Sequence, residues 1–538
     1  HSEEGTSLFE IDETSDTFTL DNGAFEYSLA AKNNLKASGD YIFQNNLLVL
    51  FYSQPTDTIR RYRVTKLTED TLSFTENNTT YWFKAAKTPA AVNAAESKDT
   101  IIPSQGFSFN SLWRGVLGMV TLLFIAFLFS ANRKAISWRT VGLGLALQLV
   151  IAVGVLKIAF IQKIFEGIGK LFISILDFTK AGSKFLFEGL VVDMDTFGFI
   201  FAFKVLPTII FFSTVSSGLY YLGILQKVVY GIAWVMARSM RLSGPESLSA
   251  AGNIFLGQTE APLLVRPFIP QMSKSELMCL MTGGMATIAG GVLAGYVAFL
   301  GGDSMEEQSK FAAYLLGASI MNAPGAIVMS KMFIPETEKE IKQDKLEVNQ
   351  EAMGVNLIDA MSIGAAEGLK LALNVGGMLL AFIAVIAAIN YGLSGLIGEY
   401  TGLNAWVESS TGGQFKGFSL EYIFGQVFRV FAWVIGVEWV DTLQVGSLLG
   451  QKTVINEFVA YLSLAEMKEA ASISTKSVII ATYALCGFSN FSSIAIQLGG
   501  ISIIAPNQQG NLSRLRLRAL MAASLACLMT ATIAGMLV

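Results

Sequence analysis

Apolar stretches about as long as a membrane is thick recur along this chain, and they restrict its fold more than any other feature. A helix that crosses the hydrocarbon core of a bilayer needs about 20 apolar residues. Because lipid offers the backbone no hydrogen-bond partners, such stretches are expected to be helical. The sequence therefore predicts an all-α polytopic membrane protein with about eight transmembrane helices. The candidate spans are residues 112–130, 141–162, 199–223, 277–300, 310–333, 370–393, 476–500 and 517–538.

The N-terminal residues have a different composition and are predicted to form a separate soluble domain. Short runs rich in Thr, Tyr, Phe and Val alternate with turn signals such as Asp21–Asn22–Gly23. This pattern is typical of a small antiparallel sheet or barrel. We expect an all-β domain over residues 1–86, a linker over 87–111 and a membrane domain over 112–538. No catalytic constellation is visible in the β-rich part, so a scaffold role and a ligand-binding role both stay open.

Three apolar segments are interrupted by charged residues, Gly or Pro, so we do not expect them to form simple transmembrane helices. Residues 163–190 alternate Lys and Glu with Phe, Ile and Leu at helical spacing, which predicts an amphipathic helix in the membrane interface. Residues 246–270 and 421–463 contain more interruptions. Irregular backbone at membrane depth is tolerated only where protein or a water-filled cavity satisfies it. We therefore predict two re-entrant hairpins, at about 246–270 and about 421–463.

Basic residues predict how the chain is oriented in the membrane. One cluster follows the first span and another precedes the last span. By the positive-inside rule both clusters face the cytoplasm. Both termini and the β-rich domain are then extracytoplasmic, which agrees with an even number of crossings in a multi-pass protein of the plasma (inner) membrane. The two clusters are Arg133, Lys134 and Arg139, and Arg514, Arg516 and Arg518.

Each predicted hairpin carries a carboxylate beside amides. Gln258, Thr259 and Glu260 precede Pro262 in the first hairpin, and Glu457 follows an Asn in the second. Such a charge at the bilayer centre costs about 2.5–3.5 kcal/mol on insertion scales, so it usually marks a substrate or ion path. Broken helices with polar groups at the midplane are typical of secondary transporters. The alternative is that each Glu pairs with a basic residue, for which Lys204 and Arg429 are available.

Two further clusters could complete a site. In the seventh span, Asn490 and Ser493 are three residues apart and share one helix face, with Phe488 close enough to stack on a ring. The Gly-rich stretch 283–295 contains Thr287, whose hydroxyl could bind a small hard cation together with freed carbonyls. Close helix packing explains most of the glycines in this stretch equally well. Glu438 and Asp441 are expected near an interface.

Several classes of function are excluded or disfavoured. The three cysteines, Cys279, Cys486 and Cys527, are dispersed and give neither a disulfide framework nor metal-ligand spacing. The only histidine is His1, which excludes histidine proton relays and histidine metal sites. A nucleic-acid partner would require a basic stripe, and none is visible.

Four ungapped motifs resemble those of the concentrative nucleoside transporter family. They occur in the family's order and the resemblance covers roughly residues 110–538, so it says nothing about the β-rich domain. The motifs are Gly257–Gln258–Thr259–Glu260–Ala261–Pro262–Leu263, Asn456–Glu457–Phe458–Val459–Ala460–Tyr461, Cys486–Gly487–Phe488–Ser489–Asn490–Phe491–Ser492–Ser493 and Val205–Leu206–Pro207–Thr208–Ile209–Ile210–Phe211–Phe212.

The resemblance implies a fold and a set of site residues. It implies a homotrimer with eight spans and two re-entrant hairpins per protomer, in which an elevator-like movement carries substrate across. Gln258, Thr259 and Glu260 would contact the nucleobase, with Val292 near it. Glu457, Asn490 and Ser493 would hold the ribose, with Phe488 alongside. Sodium would be bound by Asn253, Thr287 and the carbonyls of Leu256 and Ile288.

The resemblance thus implies a sodium-coupled symporter that imports nucleosides, with sodium as the coupling ion, no organic cofactor and no enzymatic activity. Proton-coupled relatives depart from the Gln-Thr-Glu-Ala-Pro pattern, which favours sodium here. Proton coupling stays open, as does a carrier of another small polar solute such as an amino acid or dicarboxylate. A receptor whose external β-rich domain binds the ligand is a further alternative. Purine or pyrimidine preference and ion stoichiometry are left open.

Overall fold

A computed structural model describes residues 17–21, 24–29, 35–44, 47–54, 58–68, 71–76, 79–84, 109–192, 200–302, 304–338 and 354–538. Contacts within the chain divide it into two compact units, His1–Thr100 and Ile101–Val538. Each unit is described by itself. All but the last three residues of the predicted linker 87–111 lie outside the described residues.

The first unit contains a seven-stranded antiparallel sheet in which each strand pairs with the next along the chain. Alternate side chains of the central strands, including Phe25, Leu48, Leu50 and Tyr62, form its buried cluster. This small sheet confirms the predicted β-rich N-terminus. Burial also raises the pKa of Tyr52, whose hydroxyl lies 3.1 Å from that of Tyr62. The strands are β1 (Thr17–Asp21), β2 (Ala24–Leu29), β3 (Leu35–Gln44), β4 (Leu47–Gln54), β5 (Thr58–Thr68), β6 (Thr71–Glu76) and β7 (Thr79–Lys84).

The second unit is helical, which confirms the predicted α-class of the larger part of the chain. Its longer helices are α1 (Phe109–Leu128), α2 (Trp138–Lys157), α3 (Ala159–Phe187), α4 (Leu206–Tyr221), α5 (Ile224–Met240), α6 (Gly244–Gly252), α7 (Lys274–Ala286), α8 (Gly290–Gly301), α9 (Met305–Phe333), α10 (Leu357–Asn390), α11 (Leu403–Ser410), α12 (Leu420–Val434), α13 (Thr442–Val454), α14 (Glu457–Glu469), α15 (Thr475–Leu485), α16 (Phe491–Ile504) and α17 (Gln509–Leu537).

Seven helical segments in the described part of the chain are long and apolar enough to cross a membrane. They correspond to seven of the eight predicted spans. The predicted span 476–500 is instead divided into two shorter apolar helices, α15 and α16. The predicted amphipathic segment 163–190 lies within the single long helix α3, apart from its last three residues.

Four breaks interrupt the helices of the buried core. The first break (253–260) follows α6, and the second break (287–289) separates α7 from α8. The third break (455–456) separates α13 from α14, and the fourth break (486–490) separates α15 from α16. The helix–break–helix pair α13–α14 begins and ends later than the predicted hairpin 421–463, because α12 is a separate helix that packs against α13.

The order of elements around these breaks occurs twice. In the first copy, α5 and α6 precede the first break, the pair α7–α8 contains the second break, and the long helix α9 follows. In the second copy, α12 and α13 precede the third break, the pair α15–α16 contains the fourth break, and the long helix α17 follows. The two long helices pack against each other in the core. All three cysteines are free and buried within this unit.

Polar caps fix where the helices around the breaks begin. Ser273 accepts a hydrogen bond from the Glu276 backbone N–H at the start of α7, and the Glu276 carboxylate accepts one from the Ser273 N–H in return. Asn456 and Asn490 are the N-caps of α14 and α16. The side chain of each accepts a hydrogen bond from the backbone N–H of the residue three positions later. Such caps satisfy donors that the first turn of a helix leaves free. The polar residues at the breaks therefore also define the helix ends.

Candidate functional site

A continuous chain of hydrogen bonds joins the first, third and fourth breaks. Gln258 donates from Nε2 to Ser493 Oγ at 3.1 Å, and the Ser493 backbone N–H donates to Asn490 Oδ1 at 2.8 Å. Asn490 donates from Nδ2 to Glu457 Oε2 at 2.7 Å, and the Tyr296 hydroxyl donates to Glu457 Oε1 at 3.0 Å. The structure therefore brings together four of the predicted substrate-binding residues.

Glu457 is the buried carboxylate at the centre of this chain. It is 3% exposed and is the first residue of α14, where the positive end of the helix dipole favours a negative charge. Among the residues that the structure describes, no basic side chain lies within ion-pair distance of Glu457 or Glu260. Arg429 instead donates to Thr442 Oγ1 and lies over the Trp439 ring. The alternative of an ion pair with Arg429 is therefore wrong.

Sequence reasoning missed Tyr296, which belongs to the same network. Tyr296 is fully buried and lies one helical turn after Val292 on α8. Its ring stacks on Tyr461 at a centroid distance of 4.3 Å, and the Tyr461 hydroxyl donates to the Thr482 carbonyl at 2.8 Å. A polar aromatic residue inside an apolar span was the available signal. Tyr296 and its partner Glu457 are 161 residues apart in the sequence, so local sequence patterns do not reveal their hydrogen bond.

Lys452 is a second residue that the sequence did not single out. It is 3% exposed and donates from Nζ to the Ala484 carbonyl in the last turn of α15, at 2.8 Å. A cation near the C-terminal carbonyls of a helix interacts favourably with its dipole. Because Lys452 lies on α13, it ties the helix before the third break to the helix before the fourth break.

The first break presents its polar side chains differently. Gln258 is buried, and its Oε1 has no hydrogen-bond partner in the described part of the chain. Thr259 is exposed, and half-buried Glu260 accepts from the Gly257 backbone N–H at 3.1 Å. Gln497 on α16 reaches the same region, where it donates to the Met281 carbonyl at 3.0 Å. Phe488 at the fourth break is buried, with 9% of its surface exposed.

The predicted sodium residues flank the first and second breaks. Asn253 is 1% exposed, and neither Oδ1 nor Nδ2 has a hydrogen-bond partner among the described residues. Thr287 is also buried and donates to the Gly283 carbonyl at 2.9 Å. A Cβ added at Gly283 would lie 3.1 Å from Asn253 Nδ2, so Asn253 faces the end of α7. Leu256 and Ile288 are buried beside these breaks.

This set of groups fits a small hard cation. An unpaired amide oxygen, a hydroxyl and carbonyls released at helix breaks are the oxygen donors that such ions prefer. The two breaks are also joined directly, because the Gly290 N–H donates to the Phe255 carbonyl at 3.0 Å. No group of three or more His, Cys, Asp or Glu side chains that could hold a metal occurs in the described part of the chain.

Asp441 and Glu438 lie away from the hydrogen-bonded chain. Asp441 accepts from the Ser474 N–H at 3.0 Å and from its hydroxyl at 2.8 Å, which joins the starts of α13 and α15. Glu438 lines a small cavity with Arg114 and Lys476. These contacts give Asp441 a structural role.

A buried polar network at the breaks of apolar helices defines the class of protein. Broken helices that present polar side chains and freed backbone groups inside a membrane protein are the architecture of secondary transporters.

Family profiles match most of the helical unit. The profile described as "Na+ dependent nucleoside transporter N-terminus" matches residues 117–190, "Nucleoside recognition" matches 202–303 and "Na+ dependent nucleoside transporter C-terminus" matches 314–535. This chain belongs to the concentrative nucleoside transporter family, and it is a multi-pass membrane protein.

Individual relatives agree with this assignment. An uncharacterized transporter of Haemophilus influenzae is 41% identical over 432 residues, which are 80% of this chain and 98% of that protein. Sodium/nucleoside cotransporter 1 of Rattus norvegicus is 41% identical over 78% of this chain, and the match spans 63% of the rat protein. These relatives are transporters rather than enzymes.

Solved structures share the fold. CNTnw in an inward-facing substrate-bound state has a TM-score of 0.71 and 40% identity, covering 79% of this chain and 98% of that chain. A variant of CNTnw in an outward-facing state gives a TM-score of 0.72 with 40% identity, covering 80% of this chain and 98% of that chain.

Proposed function

We propose that this protein is a sodium-coupled symporter that imports nucleosides across the plasma membrane. The observation that carries the proposal is the buried chain of hydrogen bonds from Gln258 to Tyr296. It joins three helix breaks around Glu457, and among the described residues no basic group lies within ion-pair distance of this carboxylate. Membership of a family described as sodium-dependent nucleoside transporters supports the same conclusion.

The chemistry of the network suits a ribose ring. Glu457 and Asn490 lie side by side, and a carboxylate can accept hydrogen bonds from two vicinal hydroxyls. Ser493 adds a hydroxyl one helical turn from Asn490, and Phe488 offers an apolar face. When a nucleoside binds, the ribose hydroxyls would replace the hydrogen bonds that these side chains now make within the protein.

The first break suits a nucleobase. Gln258 and Thr259 together offer amide and hydroxyl groups that donate and accept, and Glu260 offers a strong acceptor. Gln258 already contacts Ser493, so a nucleoside bridging these residues would have its base toward the first break and its sugar toward the fourth. Val292 would pack near the base, since α8 presents it next to the turn that carries Tyr296.

Sodium is proposed to bind between Asn253, Thr287 and the carbonyls of Leu256 and Ile288. Ion binding there would order the first break and so organise Gln258 and Glu260 for the base. By linkage, sodium then raises nucleoside affinity, and nucleoside raises sodium affinity by the same factor. The membrane potential adds about 2.3 kcal/mol per charge per 100 mV to accumulation.

The proposed architecture follows the family. Each protomer would have eight spans and two re-entrant hairpins that carry the first and third breaks, with both termini outside the cytoplasm. Three protomers would form a homotrimer, and substrate would cross by an elevator-like movement. No organic cofactor is needed, because the driving force comes from the ion gradient.

The alternatives are less well supported by the geometry. A proton-coupled carrier needs a titratable group at the ion position, whereas Asn253 and Thr287 do not titrate. An amino acid or dicarboxylate carrier would need a free cation at the breaks. The basic side chain near Glu457 along the chain is Lys452, and its ammonium is engaged with the Ala484 carbonyl.

Uptake of radiolabelled nucleosides into proteoliposomes, with and without an inward sodium gradient, tests the proposal. Glu457→Gln and Glu260→Gln are each expected to lose most sodium-dependent uridine uptake while the protein still inserts. Glu469→Gln is the matched control, because Glu469 is exposed at the other end of α14. Uptake like that of the unmodified protein in either variant would remove that residue from the site, and uptake without sodium dependence would contradict the coupling.

A further inference from the structure

One buried amide on α9 joins two of the helix breaks. Asn322 is fully buried and donates from Nδ2 to the Ala286 carbonyl at 2.8 Å and to the Cys486 carbonyl at 2.7 Å. Both neighbours are acceptors, so the amide nitrogen must face them. Ala286 is the last residue of α7, and Cys486 directly follows α15.

In the sequence, the residues that carry these two carbonyls come immediately before the residues of the two proposed sites. Ala286 precedes Thr287 and Ile288 at the second break, where sodium is proposed to bind. Cys486 precedes Phe488 and Asn490 at the fourth break, where the ribose is proposed to bind. One side chain that contacts neither proposed ligand therefore holds the backbone that leads into each site.

The backbones of the two breaks also touch directly. Gly487 has a φ of 140°, a region that L side chains rarely adopt, and a Cβ there would lie 2.5 Å from the Ala286 carbonyl oxygen. A residue with a side chain would push the second and fourth breaks apart. The close approach means that a shift of the backbone at one break moves atoms at the other.

An amide suits this position better than other polar groups. It has two N–H donors in a fixed plane, so it satisfies two carbonyls at once. The Cys527 thiol lies 3.4 Å from the Ala286 carbonyl and 3.1 Å from that of Cys486, but a thiol has one weakly donating proton. Without Asn322, at least one of these buried carbonyls would lack a full hydrogen bond, which is costly away from water.

We propose that Asn322 is a positioning residue that couples the two sites. Sodium at the second break fixes the Ala286 carbonyl, Asn322 transmits that position to Cys486, and the fourth break is then set to receive the nucleoside. This inference rests on the proposed function. It adds a physical link on α9 between ion and substrate.

The experiment measures uridine binding to the purified 538-residue chain, with saturating sodium chloride and with choline chloride in its place. Coupling between two sites is typically about 5–150-fold in affinity. We call the ratio of uridine affinity with sodium to that without sodium the sodium-induced gain. Asn322→Ala is expected to bring this gain close to one. Asn322→Ser keeps one donor and is expected to give an intermediate gain. Uridine-induced gain in sodium affinity should fall by the same factor in each variant.

The matched control is Gln148→Ala. Gln148 is also a fully buried amide; it donates to the Met321 carbonyl at 3.1 Å and to Thr530 Oγ1 at 3.2 Å, next to Asn322 but at neither break. Loss of stability alone should appear equally in both variants as a lower midpoint of thermal denaturation. The sodium-induced gain should be kept in Gln148→Ala.

Three results overturn the inference or its basis. An unchanged gain in Asn322→Ala shows that the coupling bypasses this amide. An equal loss of gain in Asn322→Ala and Gln148→Ala shows that general destabilisation is the cause. If the unmodified protein shows no sodium-induced gain, the proposed function itself fails, which is a separate outcome.

Discussion

Unpaired polar atoms distinguish two buried asparagines of the helical core. Asn322 uses its amide nitrogen twice and only its Oδ1 lacks a partner, whereas both polar atoms of Asn253 have no partner in the described part of the chain. A buried amide without partners costs free energy in the ligand-free protein. A ligand such as the proposed sodium ion would complete its contacts and offset that cost.

This difference predicts opposite effects of the same substitution. Asn253→Leu should leave the midpoint of thermal denaturation in detergent unchanged or raise it, because no hydrogen bond is lost. It should also abolish the sodium dependence of uridine uptake. Asn322→Leu should lower the midpoint, since it leaves the two buried carbonyls with only the Cys527 thiol as a shared, weak donor. A sodium dependence like that of the unmodified protein in Asn253→Leu would exclude Asn253 from the ion site.

Two stacked tyrosines allow a comparison of charged and neutral hydrogen bonds. Tyr296 donates to the Glu457 carboxylate and Tyr461 donates to a backbone carbonyl. Hydrogen bonds to charged groups contribute about 1.5–3 kcal/mol, and neutral ones about 0.5–1.5 kcal/mol. Tyr296→Phe should therefore lower the denaturation midpoint more than Tyr461→Phe does. Equal shifts would mean that the Tyr296 bond to Glu457 adds nothing beyond a neutral contact.

At the residue scale, sequence motifs pointed to Gln258, Glu457, Asn490 and Ser493, and the structure brings these side chains together. Their roles in binding remain proposals. Tyr296 and Lys452 escaped notice because a tyrosine or lysine in an apolar helix is usually an interfacial residue. Only the folded chain shows that their polar atoms turn inward.

At the scale of elements, the sequence predicted broken helices but misplaced some of their limits. Gly and Pro near Gln258 marked the first break correctly. The fourth break was assigned to the middle of a continuous span, because residues 476–500 are apolar throughout. The helix α15 ends there because Cys486 adopts an extended backbone and the following Gly487 has a positive φ of 140°, and hydropathy does not report backbone conformation.

Three helix ends meet at one buried cation. Lys331, in the last turn of α9, forms an ion pair with Glu246 of α6 and donates to Ser275 Oγ of α7 at 3.0 Å. Glu336 lies 3.6 Å from the same ammonium. This cluster ties the helix before the first break to the helix before the second break.

Removing the cation should destabilise the protein strongly. Lys331→Met leaves the 2% exposed Glu246 carboxylate without its closest cation, and breaking a buried pair costs about 3–5 kcal/mol. Adding Glu246→Gln should recover much of the loss in denaturation midpoint. Lys310→Met is the control, because its pair with Glu306 is exposed and contributes about 0–1 kcal/mol. Similar midpoints for the two lysine variants would show that the buried cluster does not stabilise the helix ends.

At the scale of the whole molecule, composition alone separated the β-rich unit from the helical unit. Alternating Thr, Tyr, Phe and Val predicted strands, and long apolar runs predicted helices. Strand order and the pairing of α9 with α17 were beyond sequence reasoning, because both depend on contacts between distant parts of the chain.

Deleting residues 1–105 tests which unit carries the function. The family profiles begin at residue 117, so the truncated protein should keep sodium-dependent nucleoside uptake in proteoliposomes. The full chain in the same vesicles is the control. If uptake disappears while the truncated protein still inserts and stays monodisperse, the β-rich unit takes part in transport and the receptor alternative regains support.

The burial of every native cysteine has a practical consequence. Cys279, Cys486 and Cys527 are each at most 2% exposed, so thiol-reactive probes should bypass them and modify only cysteines introduced at the surface. Spin labels or fluorophores can thus be placed in pairs on the native background. Distances between such probes would show which helices change position relative to one another when sodium and a nucleoside are added.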